Sequence, residues 1–483
     1  MFLFFCRFAF YKYINFMLTS LYPNKKTEEI EKKVFIQSYG CQMNFADSEI
    51  VASILKKEGY ATTSDYKKAN LILLNTCSIR EKAEETVRKR IKEFKNLKNG
   101  TSNIVIGILG CMAERLKAKF LEEEKLVDLV VGPDAYKDLP KLLEKTSDGR
   151  KAVNVILSQE ETYADINPLR LNSNGVTAFA SIMRGCDNMC SFCVVPFTRG
   201  RERSRDPKSI LKEVSTLNKL GYKEVTLLGQ NVDSYLWFGG GPKKDLLKLP
   251  LEKIKDKTTF SELLENIAIR NPNMRIRFST SNPQDMKDEV LKIIAQYENI
   301  CNYIHLPVQS GSSKILKLMN RGHTREWYIE RIKAIRRQIP NCGLSSDFIT
   351  GFCNESEKDH EETLSLMDFV KYHFSYMFYY SERPNTLAQR KFMDNIPLNV
   401  KKERLKQIID LQQKHSLLKN QSFIGGKHEV LIEGLSKKSK DDFFGRTTQN
   451  TVVVFKKKTA SVGDFVNVQV HSCTSATLIG EII

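Results

Sequence analysis

The sequence predicts an α/β multidomain protein: a doubly wound α/β domain, a partial TIM-like (βα)6 barrel and a small all-β barrel. Three observations predict this order. Short apolar runs alternate with charged helical stretches over residues 33–150, the same alternation recurs over 177–400, and residues 423–483 change to an apolar-polar alternation typical of strands. A chain of 483 residues is also too long for one hydrophobic core.

The first domain is predicted over residues 33–150. Four apolar runs in this region are typical of strands that are buried on both faces of a parallel sheet, and they begin at Val34, Leu71, Ile104 and Leu126. Charged helical segments separate the runs, which is the pattern of a doubly wound sheet.

Residues 1–32 are interpreted as an extension that is disordered or, before Met17, not translated. Charged residues interrupt its aromatic stretch, which is therefore too short to cross a membrane, and no later stretch could span a bilayer. We therefore expect no membrane association.

The second domain is predicted over residues 177–400 as a partial βα barrel, after an irregular linker at 151–176. An amphipathic helix at 401–422, with Leu405, Ile408 and Leu417 on its apolar side, connects it to the all-β domain at 423–483. The active site of such a barrel lies at the carboxyl ends of its strands. The six strand candidates are 177–183, 224–230, 275–280, 303–309, 343–350 and 374–381.

Composition favours a polyanionic partner and a reducing compartment. The chain has 75 Lys and Arg against 57 Asp and Glu, a net charge of +18, which favours nucleic acid binding through release of counterions. A content of 41% hydrophobic residues is that of a globular protein, and excludes a disordered one. The 11 cysteines are an odd number and include a close triplet, which indicates metal ligation in the cytoplasm and excludes a disulfide framework.

Three of the cysteines follow successive strands of the first domain. Cys41, Cys77 and Cys111 each stand at the carboxyl end of a predicted strand. Ligands of open α/β sheets bind at that edge, so the three thiols are expected to converge on one metal site. The alternative is that they are small core hydrophobes, a common use of free cysteine.

A second triplet carries the clearest chemical signal. Cys186, Cys190 and Cys193 have the spacing Cys-x3-Cys-x2-Cys in a loop after the first barrel strand. Three thiolates hold three irons of a four-iron cluster and leave the fourth iron open. That open iron can chelate S-adenosylmethionine, whose reductive cleavage yields a radical. The alternative is a structural zinc, which needs four ligands, but the loop has no fourth cysteine or histidine.

From Val34 to the C-terminus, the sequence resembles the radical S-adenosylmethionine methylthiotransferases. The resemblance is carried by the cluster loop at 184–201 and by motifs in all three predicted domains. The motifs around His305 and Met319 resemble the MiaB-type branch, which acts on N6-isopentenyladenosine at position 37 of tRNA, and the tail resembles a TRAM RNA-binding domain. The motifs lie at residues 38–44, 75–81, 110–115, 305–312, 319–322, 433–439 and 445–447.

This resemblance implies a specific reaction. Cys41, Cys77 and Cys111 would bind an auxiliary [4Fe-4S] cluster that supplies sulfur, beside the radical cluster of the second triplet. Two molecules of S-adenosylmethionine would be used, one as methyl donor and one as radical source, to place a methylthio group on C2 of the adenine. The implied partners are the tRNA anticodon loop, a reducing electron donor and an iron-sulfur assembly or sulfur donor, with the protein itself a monomer.

Two other functions remain as alternatives. The first keeps the chemistry and changes the substrate to threonylcarbamoyl-adenosine in tRNA or to an aspartate of a ribosomal protein. The second is a non-catalytic RNA-binding protein whose cysteines hold zinc.

Further residues are weaker candidates, and no catalytic residue is predicted beyond the cluster ligands. His305 is expected to be a packed core histidine, and Cys353 and Asn354 depart from the family's usual loop sequence. The candidates for cofactor binding are Gly229, Gln230, Asn231, Ser279 and Gln309, and those for RNA binding are Lys437, Lys438, Lys440 and Arg446.

Overall fold

The computed structural model describes residues 32–78, 81–100, 104–171, 173–248 and 257–483. The predicted extension at 1–32 lies almost entirely outside these residues. The three predicted architectures are confirmed in the predicted order. No helix among the described residues is long and apolar enough to cross a membrane.

The N-terminal domain is a parallel sheet of six strands in the order β2-β1-β3-β4-β5-β6. Apolar side chains on both faces of the sheet pack against helices, as expected for a doubly wound fold. The strands are β1 (Lys33–Tyr39), β2 (Ala61–Thr62), β3 (Leu71–Thr76), β4 (Val105–Gly110), β5 (Leu129–Val131) and β6 (Ala152–Asn154), and the helices are α1 (Gln42–Lys57), α2 (Glu81–Glu93), α3 (Lys95–Gly100), α4 (Cys111–Leu116), α5 (Lys119–Glu123) and α6 (Leu139–Ser147).

Two short edge strands of this sheet were not predicted. β6 lies inside the expected linker at 151–176, and β2 has only two residues. Strands of two or three residues are too short to show an alternation of apolar and polar side chains, so tertiary pairing alone reveals them.

The central domain is an open barrel of six major parallel strands, in two three-stranded groups, β7-β10-β13 and β14-β15-β16. A single parallel bridge beside β14 joins the groups. The strands are β7 (Thr177–Ser181), β8 (Met183–Arg184), β9 (Arg203–Ser204), β10 (Glu224–Leu228), β11 (Leu236–Trp237), β12 (Thr258–Thr259), β13 (Arg275–Ser279), β14 (Tyr303–His305), β15 (Gly343–Thr350) and β16 (Phe374–Tyr379). The helices are α7 (Val195–Thr198), α8 (Pro207–Lys219), α9 (Phe260–Arg270), α10 (Asp288–Gln296), α11 (Ser313–Leu318), α12 (Arg325–Gln338), α13 (Glu357–Val370) and α14 (Leu387–Lys391).

Neighbouring elements cover both open edges of the barrel. Helix α1 of the N-terminal domain packs on β7 through Met43 and through Phe45, whose ring meets that of Phe179 edge-on. Helix α15 (Leu398–Gln421) lies along β16 at the other edge. The central domain is therefore closed by its neighbours rather than by its own strands.

The buried face of α15 is mostly polar, which corrects the expected apolar side, although Ile408 is buried as predicted. Leu417 is exposed, whereas Lys401 and Arg404 are buried. The Lys401 ammonium pairs with Asp394 at 2.6 Å, and the Arg404 guanidinium pairs with Glu355 at 2.9 Å. The helix is therefore held by ion pairs to loops at the barrel's carboxyl end, a contact that hydrophobic periodicity cannot predict.

The C-terminal domain is a closed barrel of five strands in the order β17-β18-β19-β21-β20. Its apolar side chains form a separate core. The strands are β17 (Lys427–Leu435), β18 (Asp442–Arg446), β19 (Val452–Lys456), β20 (Phe465–Cys473) and β21 (Leu478–Ile482).

This small barrel packs against the amino ends of the central strands. Arg275, the first residue of β13, donates a 2.7 Å hydrogen bond to Glu429, and Arg277 donates to the carbonyl of Thr447 at 2.7 Å. The opposite, carboxyl end of the central barrel therefore stays available to the N-terminal domain and the cysteine loops.

Candidate active site

The first cysteine triplet meets at the carboxyl edge of the N-terminal sheet. Cys41 is the N-cap of α1, Cys77 follows β3, and Cys111 opens α4. Cys77 and Cys111 are buried. Cys41 is exposed to solvent on one side, and protein atoms pack around the rest of the residue. A hydrogen bond from the Cys77 thiol, helped by the charge of Arg199, lowers the pKa of Cys41 to about 6 against the effect of burial.

Close backbone packing brings these cysteines together. Gly40 has φ = 133°, and a Cβ at this position would lie 2.3 Å from the Cβ of Cys77. Only glycine fits there, because the conformation and the space both exclude a side chain. The Cys41 thiol also donates to Asn44 at 3.1 Å, and the Asn44 amide donates to Asn75 at 3.0 Å. Adjacent loops are therefore fixed to each other around the triplet.

The second triplet lies in the loop between β8 and α7. Cys186, Cys190 and Cys193 are all partly buried. The loop is anchored to the segment after α11, because the Ser191 amide donates to the carbonyl of Met319 at 2.9 Å. Burial raises the pKa values of Cys186 and Cys193, so these groups favour the neutral thiol unless a cation is bound to them.

An arginine donates to this second triplet. Arg321 donates from Nη1 to the Sγ atom of Cys190 at 3.3 Å and from Nη2 to the backbone carbonyl of Pro307. The guanidinium is buried and its Nε has no hydrogen-bond partner among the described residues. A fixed positive charge therefore stands beside the thiolate that metal binding would create.

The two triplets face each other across the domain boundary. Arg199, six residues after Cys193, donates from Nε to the Sγ atom of Cys111 at 3.2 Å. Helix α4, which begins at Cys111, packs against α7, which follows Cys193. A cavity of about 250 Å³ opens beside this contact and is lined by Glu114, Val194 and Phe197, among others. The cysteines are not among the residues that line this cavity, but the loops that carry the two triplets meet at the domain boundary.

A buried ionic network connects the domains at this point. Asp47 of α1 accepts 2.8 Å hydrogen bonds from both Arg184 and Arg199, which bracket the loop of the second triplet. Asp134 of the N-terminal domain pairs with Arg203 at 2.9 Å and with Arg184 at 3.4 Å. All five side chains are almost fully buried. We define these residues as the arginine network.

Cysteine geometry does not favour a single metal ion. Within the described ranges, no three His, Cys, Asp or Glu side chains form a group that could hold one metal ion. A zinc site needs four ligands at about 2.0–2.3 Å from one point. Each triplet supplies three thiols, which is the number that a four-iron cluster with one open iron uses.

Comparison with known proteins gives the family. Three family models match: "Uncharacterized protein family UPF0004" at residues 33–132, "Radical SAM superfamily" at 180–367 and "TRAM domain" at 421–483. The tRNA-2-methylthio-N(6)-dimethylallyladenosine synthase of Christiangramia forsetii is 63% identical over 93% of this chain and 94% of its own length. That of Flavobacterium johnsoniae is 59% identical over 94% and 95%. The chain belongs to this synthase family.

Solved structures show the fold at low identity. The radical S-adenosylmethionine methyltransferase TsrM from Kitasatospora setae, with tryptophan substrate and a SAM analog bound, gives a TM-score of 0.53 at 14% identity. That match covers 74% of this chain and 75% of the other. A TsrM structure with cobalamin and a [4Fe-4S] cluster also gives 0.53, at 15% identity, covering 74% and 77%. Membership of the radical SAM superfamily brings S-adenosylmethionine and an iron-sulfur cluster as cofactors.

The residues predicted for cofactor binding lie at the carboxyl end of the barrel, and their neighbours differ from one residue to the next. Gly229 packs against Met183 so closely that an added Cβ would lie 2.4 Å from its side chain. Asn231 accepts from the Asn282 amide at 3.1 Å and donates to Asp285 at 2.6 Å. These two residues therefore shape loops at this end of the barrel, and their contact with the cofactor stays a prediction.

Gln230, Ser279 and Gln309 remain candidates for cofactor contact. The Oε1 atom of Gln230 is buried without a hydrogen-bond partner among the described residues. Ser279 ends β13, and Gln309 is buried at φ = 80°, with its backbone bridged to β15. The contact assigned to each remains a prediction.

Of the predicted RNA-binding residues, Arg446 is held by ion pairs within the protein, and its contact with RNA stays a prediction. Its guanidinium donates to Glu224 at 2.8 Å and to Glu433 at 2.5 Å, so an ion pair across the domain boundary already occupies it. The sequence alone could not show this partner, which lies 222 residues away. Lys437, Lys438 and Lys440 are exposed in the turn between β17 and β18 and remain candidates.

Sequence reasoning missed the arginine network and the polar lining of the barrel. The signal for the network was the run of arginines that flanks the second triplet at 184–205. Inside the barrel, His305 is buried as predicted but its Nδ1 hydrogen-bonds Ser345 at 2.7 Å, and its ring meets Tyr376 edge-on at 5.8 Å. Tyr376 is 49% exposed, so its aromatic ring is accessible.

Proposed function

We propose that this protein adds a methylthio group to C2 of N6-isopentenyladenosine at position 37 of tRNA, in the cytoplasm. The observation that carries the proposal is that the loops of the two thiol triplets meet, with Arg199, six residues after Cys193, donating to the Sγ atom of Cys111 at 3.2 Å. The names of the relatives, which cover nearly the whole chain, give the substrate.

Cys186, Cys190 and Cys193 fit the radical cluster, because they supply three thiol donors and their loop has no fourth one. With S-adenosylmethionine bound, such a cluster supplies a radical that removes a hydrogen atom from an unactivated C–H bond. The C2–H bond of adenine carries no acidic proton, so acid–base chemistry could not activate it.

Cys41, Cys77 and Cys111 fit an auxiliary cluster for the same reason, three donors and one vacant position. Gly40 and the Asn44–Asn75 pair hold the triplet in place, and the arginine network fixes it against the second triplet. Two clusters would then share one space, with sulfur to be transferred on one side and the radical source on the other.

The barrel interior suits an unpaired base. Residue 37 lies in the anticodon loop, where a base is splayed out at lower cost than from a duplex. Tyr376, which is 49% exposed, offers an aromatic surface on which such a base can stack. The exposed lysines Lys437, Lys438 and Lys440 would contact phosphates. The electron donor, the sulfur donor and the monomeric state remain predictions.

Two measurements test this function. Protein purified and reconstituted without oxygen should contain about eight irons per chain, as two four-iron clusters require. The nucleosides of a deletion strain should regain methylthio-isopentenyl-adenosine when the wild-type chain is expressed. Recovery of a methylthiolated threonylcarbamoyl-adenosine instead would support the alternative substrate, and a zinc-containing protein without iron would reject the chemistry.

Two variants separate the roles of the triplets. Cys190→Ala should abolish cleavage of S-adenosylmethionine, whereas Cys77→Ala should retain reductive cleavage and stop methylthiolation. Release of 5′-deoxyadenosine and mass spectrometry of tRNA nucleosides measure the two activities. Equal cleavage activity in both variants would show that the roles are assigned wrongly.

A further inference from the structure

One side chain of the radical domain reaches a cysteine of the other domain. Arg199, six residues after Cys193, donates from Nε to the Sγ atom of Cys111 at 3.2 Å and from Nη2 to the carboxylate of Asp47 at 2.8 Å. The residue is 2% exposed, and its Nη1 atom is buried without a hydrogen-bond partner among the described residues. The guanidinium therefore has donor capacity left at the wall of the first triplet.

The position of Arg199 is fixed from both domains. The carboxylate of Asp47 accepts a hydrogen bond from Nη2 of Arg199. It also accepts one from Arg184, which precedes the loop of the second triplet. Since Asp47 lies on the helix that Cys41 caps, one carboxylate connects both ends of the cysteine loop to the first triplet. The guanidinium therefore cannot move away from Cys111 without breaking a buried ion pair.

Charge supports a role toward a bound cluster. The arginine network has three guanidinium groups against the carboxylates of Asp47 and Asp134, which leaves one positive charge in excess. A buried charge needs a partner of opposite sign, and a cluster held by three thiolates carries net negative charge.

The second triplet offers an internal comparison. Arg321 donates to Cys190 at 3.3 Å, but it belongs to the same domain as the cysteine that it contacts. Arg199 makes its contact across the boundary. Among the described residues, a guanidinium therefore donates to sulfur in each triplet, and the contact to the first triplet crosses the domain boundary.

We propose that Arg199 is a positioning residue that sets the reduction potential of the auxiliary cluster and fixes that cluster against the radical cluster. Hydrogen bonds to sulfur and nearby positive charge both stabilise the reduced, more negative form of a cluster. This inference rests on the proposed function, in that Cys41, Cys77 and Cys111 must ligate the cluster.

The test isolates the auxiliary cluster. In full-length protein with Cys186, Cys190 and Cys193 replaced by Ala, the midpoint potential of the remaining cluster is measured by an EPR-monitored redox titration. Arg199→Gln removes the charge and should shift the midpoint to lower potential. Arg199→Lys keeps the charge but loses the two-pronged contact, and should shift it less. Arg201→Gln, a partly exposed arginine of the same loop, is the matched control and should leave it unchanged.

The possible outcomes distinguish a failure of the role proposed for Arg199 from a failure of the proposed function. A parent protein that binds no four-iron cluster overturns the proposed function itself. A parent cluster whose midpoint is the same in R199Q, at equal iron content, overturns the role of Arg199 and leaves the function intact. If R199Q cannot hold iron, R199K decides: a lowered midpoint supports the role and an unchanged one rejects it.

Discussion

The carboxylate of Asp47 is the group that most directly joins the two triplets. It accepts a 2.8 Å hydrogen bond from each of Arg184 and Arg199, and all three side chains are buried. Asp47→Asn keeps the size of the side chain and removes its charge. Two buried guanidinium groups then face a neutral amide whose own N–H groups compete with theirs. Removal of one partner of a buried ion pair costs about 3–5 kcal/mol.

That cost predicts a large thermal effect. With a change in Tm of about 2–4 °C per kcal/mol for domains of this size, D47N should melt roughly 6–20 °C below the wild type. Asp165→Asn is the control, because Asp165 pairs with Lys137 at 2.8 Å on the surface. Exposed pairs contribute about 0–1 kcal/mol, so its Tm should fall by less than about 4 °C.

Differential scanning calorimetry of protein prepared without oxygen measures both variants, with and without iron. The iron-free comparison matters because bound clusters add stability of their own. If D47N and D165N melted at the same temperature in the iron-free form, the arginine network would not be what stabilises the domain contact, and the reasoning would be refuted.

Three further predictions follow from other parts of the molecule. Gly40→Ala places a Cβ 2.3 Å from that of Cys77, so iron content should fall from about eight to about four per chain while reductive cleavage of S-adenosylmethionine persists; an unchanged iron assay would contradict this. Replacing Lys437, Lys438 and Lys440 by Ala should weaken tRNA binding and reduce the salt dependence of its Kd, and a slope equal to that of the wild type would exclude phosphate contacts. Burial raises the pKa of Asp233 from 3.8 to about 8, with the Ser281 hydroxyl opposing it. Between those values the folded state holds a proton that the unfolded state has released, so wild-type stability should fall from pH 5 to pH 8 relative to Asp233→Asn; Tm values of the two proteins that stay parallel across this range would refute the assignment.

Most of the fold could be predicted because the central strands are continuous apolar runs. β3 and β4, for example, are buried along nearly their whole length, so composition alone marks them. β6 could not be predicted, because three residues carry no period. The buried face of α15 could not either, since its partners Asp394 and Glu355 lie on loops that only the folded chain brings near it.

The same limit applied to the site: contacts that only the folded chain forms could not be predicted. The six cysteines could be predicted because iron-sulfur clusters are bound by cysteine thiolates, and because ligands bind at the carboxyl ends of the strands. Arg446 was assigned to RNA because a basic residue in a basic tail is compatible with many partners, and Glu224 is visible only in the fold. Arg199 was missed for the converse reason, since one arginine among several near 199–205 has no distinguishing spacing.

The positions of the domains constrain how tRNA can bind. The small barrel contacts Glu224 and Arg275, the first residues of β10 and β13, whereas the cysteine loops stand beyond the carboxyl ends of the barrel strands. A five-residue strand spans about 16 Å, so the barrel separates the tail from the base that reacts. We therefore expect the tail lysines to act away from residue 37. If they contact phosphates as proposed, those phosphates lie farther along the tRNA, and the contribution of the lysines should be absent for an oligonucleotide restricted to the anticodon loop.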